Sequence, residues 1–245
     1  MQRLKQEIIA YRIINRNLKA IFKKVPFNNA TAGTYQITVE TNIKVDDFYP
    51  MYYELYGKIG YSDYYQTSKM LRNEKSEATD IFDELIKVWI NENAVLRITS
   101  VRATFIEKIL SLINNGLLEN FSVQEITAKM TKYFNRYKWE ALRIARTETT
   151  TALNASILLA GQNSNLVSEK VWTSVQDNRT RIFPFDHLDM NGQRQEEDKP
   201  FFVGGENIQY PGDVNASAGN VINCRCKITL VPIRDKDGNL VRKNI

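Results

Sequence analysis

The chain is poor in the side chains on which most protein chemistry depends. Its 245 residues include one histidine, His187, and two cysteines, Cys224 and Cys226. Two cysteines at this length exclude a disulfide framework. A bridge between residues two apart would close a very tight ring, so reduced thiols and assembly in a reducing cytoplasm are expected. The single histidine has no serine or cysteine partner at a recognisable nucleophile motif, and no glycine-rich phosphate loop occurs. No stretch approaches the ~20 consecutive apolar residues that span a bilayer. Arg12 and Arg16 interrupt the apolar run near the start before it reaches signal-peptide length. A soluble protein with no membrane partner is expected, without internal repeats or low-complexity tracts.

What is present is enough for a sizeable core: 43% of residues are hydrophobic and 25% charged, ordinary for a globular chain. The net charge of +5 is unevenly spread. Residues 1–24 hold Arg3, Lys5, Arg12, Arg16, Lys19, Lys23 and Lys24 against one acid, Glu7. That segment carries +6 and the remaining 221 residues sum to −1. Such a basic helical arm could meet double-stranded DNA or an acidic protein surface, or it could be a solvated helix face.

Periodicity predicts a helix over 3–24, with Leu4, Ile8, Tyr11, Leu18 and Phe22 near one face. Pro26 and the run Asn28–Gly33 should end it. Alternation of Tyr35, Ile37 and Val39 with polar residues predicts a short strand. The tyrosine-rich stretch that follows (Tyr49, Tyr52, Tyr53, Tyr56, Tyr61, Tyr64, Tyr65) reads as core and rim of helical packing, or as a stacking surface for bases. Helices are predicted over 77–91 and 100–114, the second stopping at Asn114-Asn115-Gly116. Ser122-Val-Gln-Glu125 matches a capping box. The helix that follows should break near Asn135 and resume from about 137 to 160, with Gly161 as a left-handed cap. Past that point short alternating runs, such as Val171–Val175 and Lys227–Leu230, alternate with turn residues. The expected class is therefore α+β: a basic helical arm over 1–24, a mainly helical domain over 25–164, and a small, loop-rich, β-containing module over 165–245.

Four polar motifs stand in order along the second half. Arg143-Ile-Ala-Arg146-Thr147-Glu148-Thr149-Thr150-Thr151 lies on the long helix. Four threonines in five residues are poor helix formers, so something other than propensity must favour them. Arginine beside hydroxyls can bind phosphate or lock onto a neighbouring carboxylate. Next come Trp172 and Asp177-Asn178-Arg179-Thr180-Arg181, whose alternating arginines would project to one side of an extended segment. They could hold an anion or pin Asp177, Asp186 or Glu148. Tyr210-Pro211-Gly212-Asp213 is a turn signature, and Asn223-Cys224-Arg225-Cys226 leads into the last apolar strand.

This ordered series, with His187 and Gly192-Gln193 between its members, resembles the phage Mu F-like family of minor head, or head-morphogenesis, proteins of tailed bacteriophages. The resemblance covers roughly residues 140–230. His187 comes later after Arg181 than the family's histidine usually does. The resemblance implies a non-enzymatic structural component of the virion. It would associate with the portal protein and other head-vertex proteins in few copies, and aid head assembly, DNA packaging or DNA delivery. Arg146, Glu148, Trp172, Asp177, Arg179, Arg181, Asp213 and Asn223 are then its structural motif residues, with Asp177, Arg179, Arg181, Asp213 and Asn223 expected in a buried polar network that fixes long loops. No cofactor is expected, with one exception left open. His187, Cys224 and Cys226 could hold a zinc ion if Asp177 or Asp186 supplied a fourth ligand, or they could be small buried groups. Two alternatives also stay open: an enzyme, either a metal-dependent nuclease using Glu148, Asp177 and Asp213 or an ADP-ribosyltransferase-like module, and a plain DNA-binding protein acting through its basic arm.

Overall fold

The computed structural model describes residues 2–27, 34–71, 79–136 and 138–243. Seven helices come first: α1 (Gln2–Phe22), α2 (Tyr35–Asn42), α3 (Tyr49–Met70), α4 (Thr79–Asn93), α5 (Val95–Leu118), α6 (Val123–Arg136) and α7 (Lys138–Gln162). A short 3-10 turn, Val45–Phe48, leads into α3. The rest holds β1 (Ser168–Thr173), β2 (Arg194–Glu196), β3 (Phe201–Val203), β4 (Glu206–Ile208), the one-turn α8 (Ala218–Val221) and β5 (Lys227–Pro232). Strands β2, β1 and β5 form an antiparallel sheet in that order, with Val171 opposite Thr229, and β3–β4 is a separate hairpin. The expected α+β class is what is found.

Helix α7 is the axis of the molecule. α1 and α3 pack along it on the bundle side, and β5 packs on it from the other. One continuous apolar cluster runs from Ala10 on α1 through Tyr52, Tyr56 and Tyr64 on α3 to Trp172, Ile228 and Leu230. The tyrosine-rich stretch is thus core and rim: Tyr52, Tyr56 and Tyr64 are fully buried.

Several local expectations are corrected. Residues 35–42 are helix, not strand. Tyr35, Val39 and Ile43 also recur every four residues, and all three are buried while Ile37 is 67% exposed. A stretch this short satisfies both periods, and packing chooses the helical one. The carbonyls at its end, of Glu40 and Ile43, accept from the Arg102 guanidinium on α5 at 3.0 and 2.7 Å. Helix α5 runs through the expected stop at Gly116. A side chain there would strike Ile126 of α6, so this glycine permits close helix approach. The real end is Asn120, which is left-handed (φ 57°). Phe121 N–H bonds Gly116 O and Asn120 N–H bonds Leu117 O, the paired closure of a Schellman motif. Gly161 is likewise inside α7 and not its cap. A Cβ there would lie 2.4 Å from Leu230, so the glycine lets β5 reach the helix. The capping box is present, with Ser122 N–H donating to Glu125 at 2.8 Å and Glu125 N–H to Ser122 Oγ at 3.3 Å. The Asn28–Gly33 run lies outside the described residues.

The basic N-terminal segment is an integral helix. Ala10, Ile13, Ile14, Leu18, Ile21 and Phe22 of α1 are buried, whereas Leu4 and Ile8, expected on the packed face, are exposed. Both stripes are apolar in the sequence, and α7 and α3 cover only the one built on Ala10, Ile14 and Leu18.

Candidate functional site

The threonine-rich turn of α7 faces the two loops that carry the other motifs, and its hydroxyls take up their backbone groups. Thr147 through Thr151 are all buried, as are Asn154 and Ser156. Thr147 Oγ1 accepts from the Asn223 amide at 3.1 Å. Thr150 Oγ1 donates to the Cys224 carbonyl, and Thr151 Oγ1 donates to the Gly212 carbonyl at 2.7 Å. Asn154 spans both loops: its amide donates to Pro211 O at 2.7 Å and Cys226 O at 3.2 Å, and its carbonyl accepts from Ile228 N–H at 2.8 Å. These partners explain why poor helix formers occupy the middle of α7. Apart from the Ile228 amide of β5, each partner is a buried backbone group of a loop that has no sheet ladder to satisfy it. Thr149 Oγ1 and Trp172 Nε1 are the exceptions, both buried without a partner.

The carboxylates are each committed to a different partner. Glu148 is fully buried between helices, accepting from Tyr56 OH at 2.7 Å with Arg97 Nε 4.0 Å away. Burial pushes its carboxyl above the usual value, opposed by Arg97 and by the tyrosine hydrogen bond. Asp213 closes the Tyr210–Asp213 turn, in which Gly212 takes φ 84°, and accepts from the amides of Gln209 at 2.8 Å and Asn215 at 2.9 Å. Asp177 accepts a fork from Arg225, at 2.6 and 2.5 Å, and the Arg179 amide at 3.0 Å. The Arg225 guanidinium holds that carboxyl well below the usual range. Among the described residues, no three carboxylates gather as a metal-dependent nuclease would need.

The arginines are placed differently from the extended-segment expectation. Residues 177–180 form a turn, with Thr180 N–H on Asp177 O at 2.9 Å, so Arg179 and Arg181 do not act as a pair. Arg179 points largely to solvent, 3.7 Å from Asp177. Arg181 donates to the Ile222 carbonyl. Arg146 meets Glu7 of α1 at 3.5 Å. Arg3, expected among outward-facing contacts, is turned inward: it donates to Thr150 Oγ1 at 2.5 Å and to the Cys224 and Arg225 carbonyls at 3.0 Å. Arg16 and Lys24 bind Glu54 and Asp47. Lys5, Arg12 and Lys23 are exposed and Lys19 is half-buried.

His187, Cys224 and Cys226 converge in the same polar centre, and all are buried. His187 Nδ1 lies 3.6 Å from Cys224 Sγ and 3.7 Å from Cys226 Sγ. The far ring nitrogen, Nε2, bonds Asn220 Oδ1 at 3.0 Å, and Trp172 stands edge-on to the ring. Cys224 shares its proton with Cys226, which draws the Cys226 thiol down to about 4 and pushes Cys224 up. The expected fourth metal ligand is not with them. Asp177 is taken by Arg225, and the group of adjacent ligand atoms contains only these three residues among those described.

Several members of the network are not among the expected site residues. Arg225, inside the cysteine motif, answers Asp177. Tyr56 and Arg97 come from distant helices to hold Glu148. Lys170 is fully buried in β1, donating to Gln209 O at 2.9 Å and Oε1 at 2.7 Å, and burial pushes its ammonium down to about 8. A lysine in a short strand offers no signal of this. Asn154, four residues past Thr150 on the helix face that already held hydroxyls, does.

The family model described as Phage Mu protein F like protein matches residues 107–229. That span begins in α5 and ends in β5, enclosing all of α7 and both loops of the polar centre. No curated protein and no solved structure matches the chain.

Proposed function

Because the chain belongs to the phage Mu protein F-like family, we propose that it is a structural head-morphogenesis protein of a tailed bacteriophage. In this reading it is built into the virion at the portal vertex in few copies, aids DNA packaging or delivery, and performs no turnover. The observation that carries the reading is that the family's polar residues are consumed by one another and by backbone. Glu148, Asp177 and Asp213 each accept from separate partners, and the hydroxyls of Thr147, Thr150 and Thr151 are spent on loop carbonyls and amides. That arrangement holds loops in one shape, whereas catalysis needs groups left free to meet a substrate.

The outer face of α1 supplies the contact with the portal or a neighbouring vertex protein. Leu4, Ile8 and Ile9 are exposed there among Lys5 and Arg12. Apolar groups set between cations suit an acidic protein surface with an apolar centre better than a run of DNA phosphates. The test is to give a phage lacking the gene either the wild-type chain or a Lys5→Glu, Arg12→Glu, Lys23→Glu triple variant. Wild type should appear in purified heads in few copies by mass spectrometry, and the folded variant should be missing from them. Wild-type protein absent from heads would overturn the reading. A variant that enters heads normally but loses salt-sensitive DNA binding would replace the protein contact with a DNA contact.

A further inference from the structure

We propose that His187 Nδ1, Cys224 Sγ and Cys226 Sγ bind one zinc ion, with an oxygen on the Ser174 side completing the tetrahedron. The site stands independently of the head-protein reading, since it rests on the geometry of three side chains alone.

Tetrahedral zinc, ~2.0–2.1 Å from nitrogen and ~2.3 Å from sulfur, holds a nitrogen and a sulfur ligand about 3.6 Å apart. The two nitrogen–sulfur distances are 3.6 and 3.7 Å. The same spacing suits a thiol–imidazole hydrogen bond, so the three atoms already stand where a proton or a metal would join them. The histidine is also presented as a ligand. Asn220 donates through its amide to Val203 O at 3.4 Å, which turns its oxygen toward His187 Nε2 at 3.0 Å. That oxygen accepts, so Nε2 carries the proton and Nδ1 offers its lone pair to the sulfurs. Ser174 Oγ, which donates to the His187 carbonyl, lies 3.8 Å from Cys226 Sγ and so puts an oxygen beside the trio. Two thiolates and an imidazole select zinc over the oxygen-seeking magnesium and calcium ions.

The ion would also have structural work to do. His187 and Cys224 are 37 residues apart, joined by three three-residue strands, one helical turn and long loops. Closing that span through a metal adds rigidity where there is little ladder or core to supply it, and makes binding part of folding.

The experiment uses the full chain, purified without a metal-affinity tag or chelator. Elemental analysis should find about one zinc per chain. Replacement with cobalt should give thiolate-to-metal charge transfer and the intense visible absorption of a tetrahedral site. Cys226→Ser should remove the charge-transfer band or shift it. Should that variant not fold, zinc content and the cobalt spectrum of the unaltered chain still decide the matter. Zinc well below one per chain, with no cobalt spectrum and a melting temperature indifferent to chelator, would leave a hydrogen-bonded thiol pair only and overturn the proposal. A cobalt spectrum surviving in the Cys224→Ser, Cys226→Ser double variant would place the metal elsewhere and overturn it equally.

Discussion

The two halves of the molecule solve the same problem by different means. In the bundle, α1 to α6 satisfy their own backbone and need only bury apolar faces. Phe82, Phe105, Ile109 and Met130 are almost wholly buried there, and buried polar side chains are few, such as Glu7 on α1 and Ser68 on α3. The module after α7 has only short strands, and its loops carry buried amides and carbonyls that no ladder satisfies. Side chains of α7 do that instead, so one helix packs into the bundle and hydrogen-bonds the loops. The difference shows that a small loop-rich module can be specified by polar groups on a borrowed helix.

The sharpest way to break this contrast is at the residue that belongs to both halves. Glu148 sits on α7 but is held by Tyr56 of α3 and Arg97 of α5. Glu148→Ala leaves Arg97, whose side chain is 13% exposed, without its counter-charge. We expect a loss of about 3–5 kcal/mol in denaturant unfolding, with bundle and module failing in one transition. Glu148→Gln should cost less, because Tyr56 keeps an acceptor. The sign of the pH effect follows from burial, which raises the folded carboxyl above its ordinary 4.5. Wild-type stability at this site is therefore greatest below pH 4.5 and declines as pH rises through the folded value. The glutamine variant should lack that decline. Equal slopes in the two proteins would show that Glu148 is not the buried acid described here.

This division also explains how much could be seen in the sequence. The bundle was legible because its signals are local: α4, the middle of α5 and the length of α7 follow from apolar periodicity, and the start of α6 from its capping box. It misled where two periods coincided, at Tyr35–Ile43, and where glycine served packing rather than termination, at Gly116 and Gly161. The module was legible as a set of motifs and a family resemblance, but its wiring was not. The fork on Asp177 comes from Arg225, 48 residues away, while the neighbouring Arg179 guanidinium stays at 3.7 Å and Arg181 turns to the Ile222 carbonyl. Arg3 crosses 221 residues of sequence to reach the Cys224 carbonyl. Pairings at such separations are set by the fold, and no spacing rule encodes them. The one local clue was the improbable threonine run, which announced partners without naming them.

A second test separates the halves instead of joining them. Asn154→Ala removes two donations to loop carbonyls and the acceptor for Ile228 N–H, leaving buried groups unpaired on the module side alone. We expect a loss of about 2–3 kcal/mol, read by hydrogen exchange as early loss of protection at Ile228 and the rest of β5. Protection in α3 and α4 should hold. A uniform loss across both halves would mean that the module has no stability of its own to lose.

The smallest effect should come from the Asp177–Arg225 fork at the module's rim, where the carboxylate is about a third exposed. Solvent and salt screen such a pair, yet its geometry is bidentate and its acid is held well below the ordinary 3.8 by Arg225. A depressed folded value means that the pair's contribution is fully present above pH 3.8 and fades only as the pH falls through the lower, folded value. Comparing thermal melting of wild type and Arg225→Gln should therefore give a small, constant difference from pH 7 to pH 5 that narrows only in strong acid. High salt should reduce it at every pH. The Arg225 carbonyl, which accepts from Arg3, is backbone and survives the substitution, so α1 should keep its place. A gap that closes already near pH 5 would mean the carboxyl is not held as described, and would assign the loop's order to the hydroxyls of α7 alone.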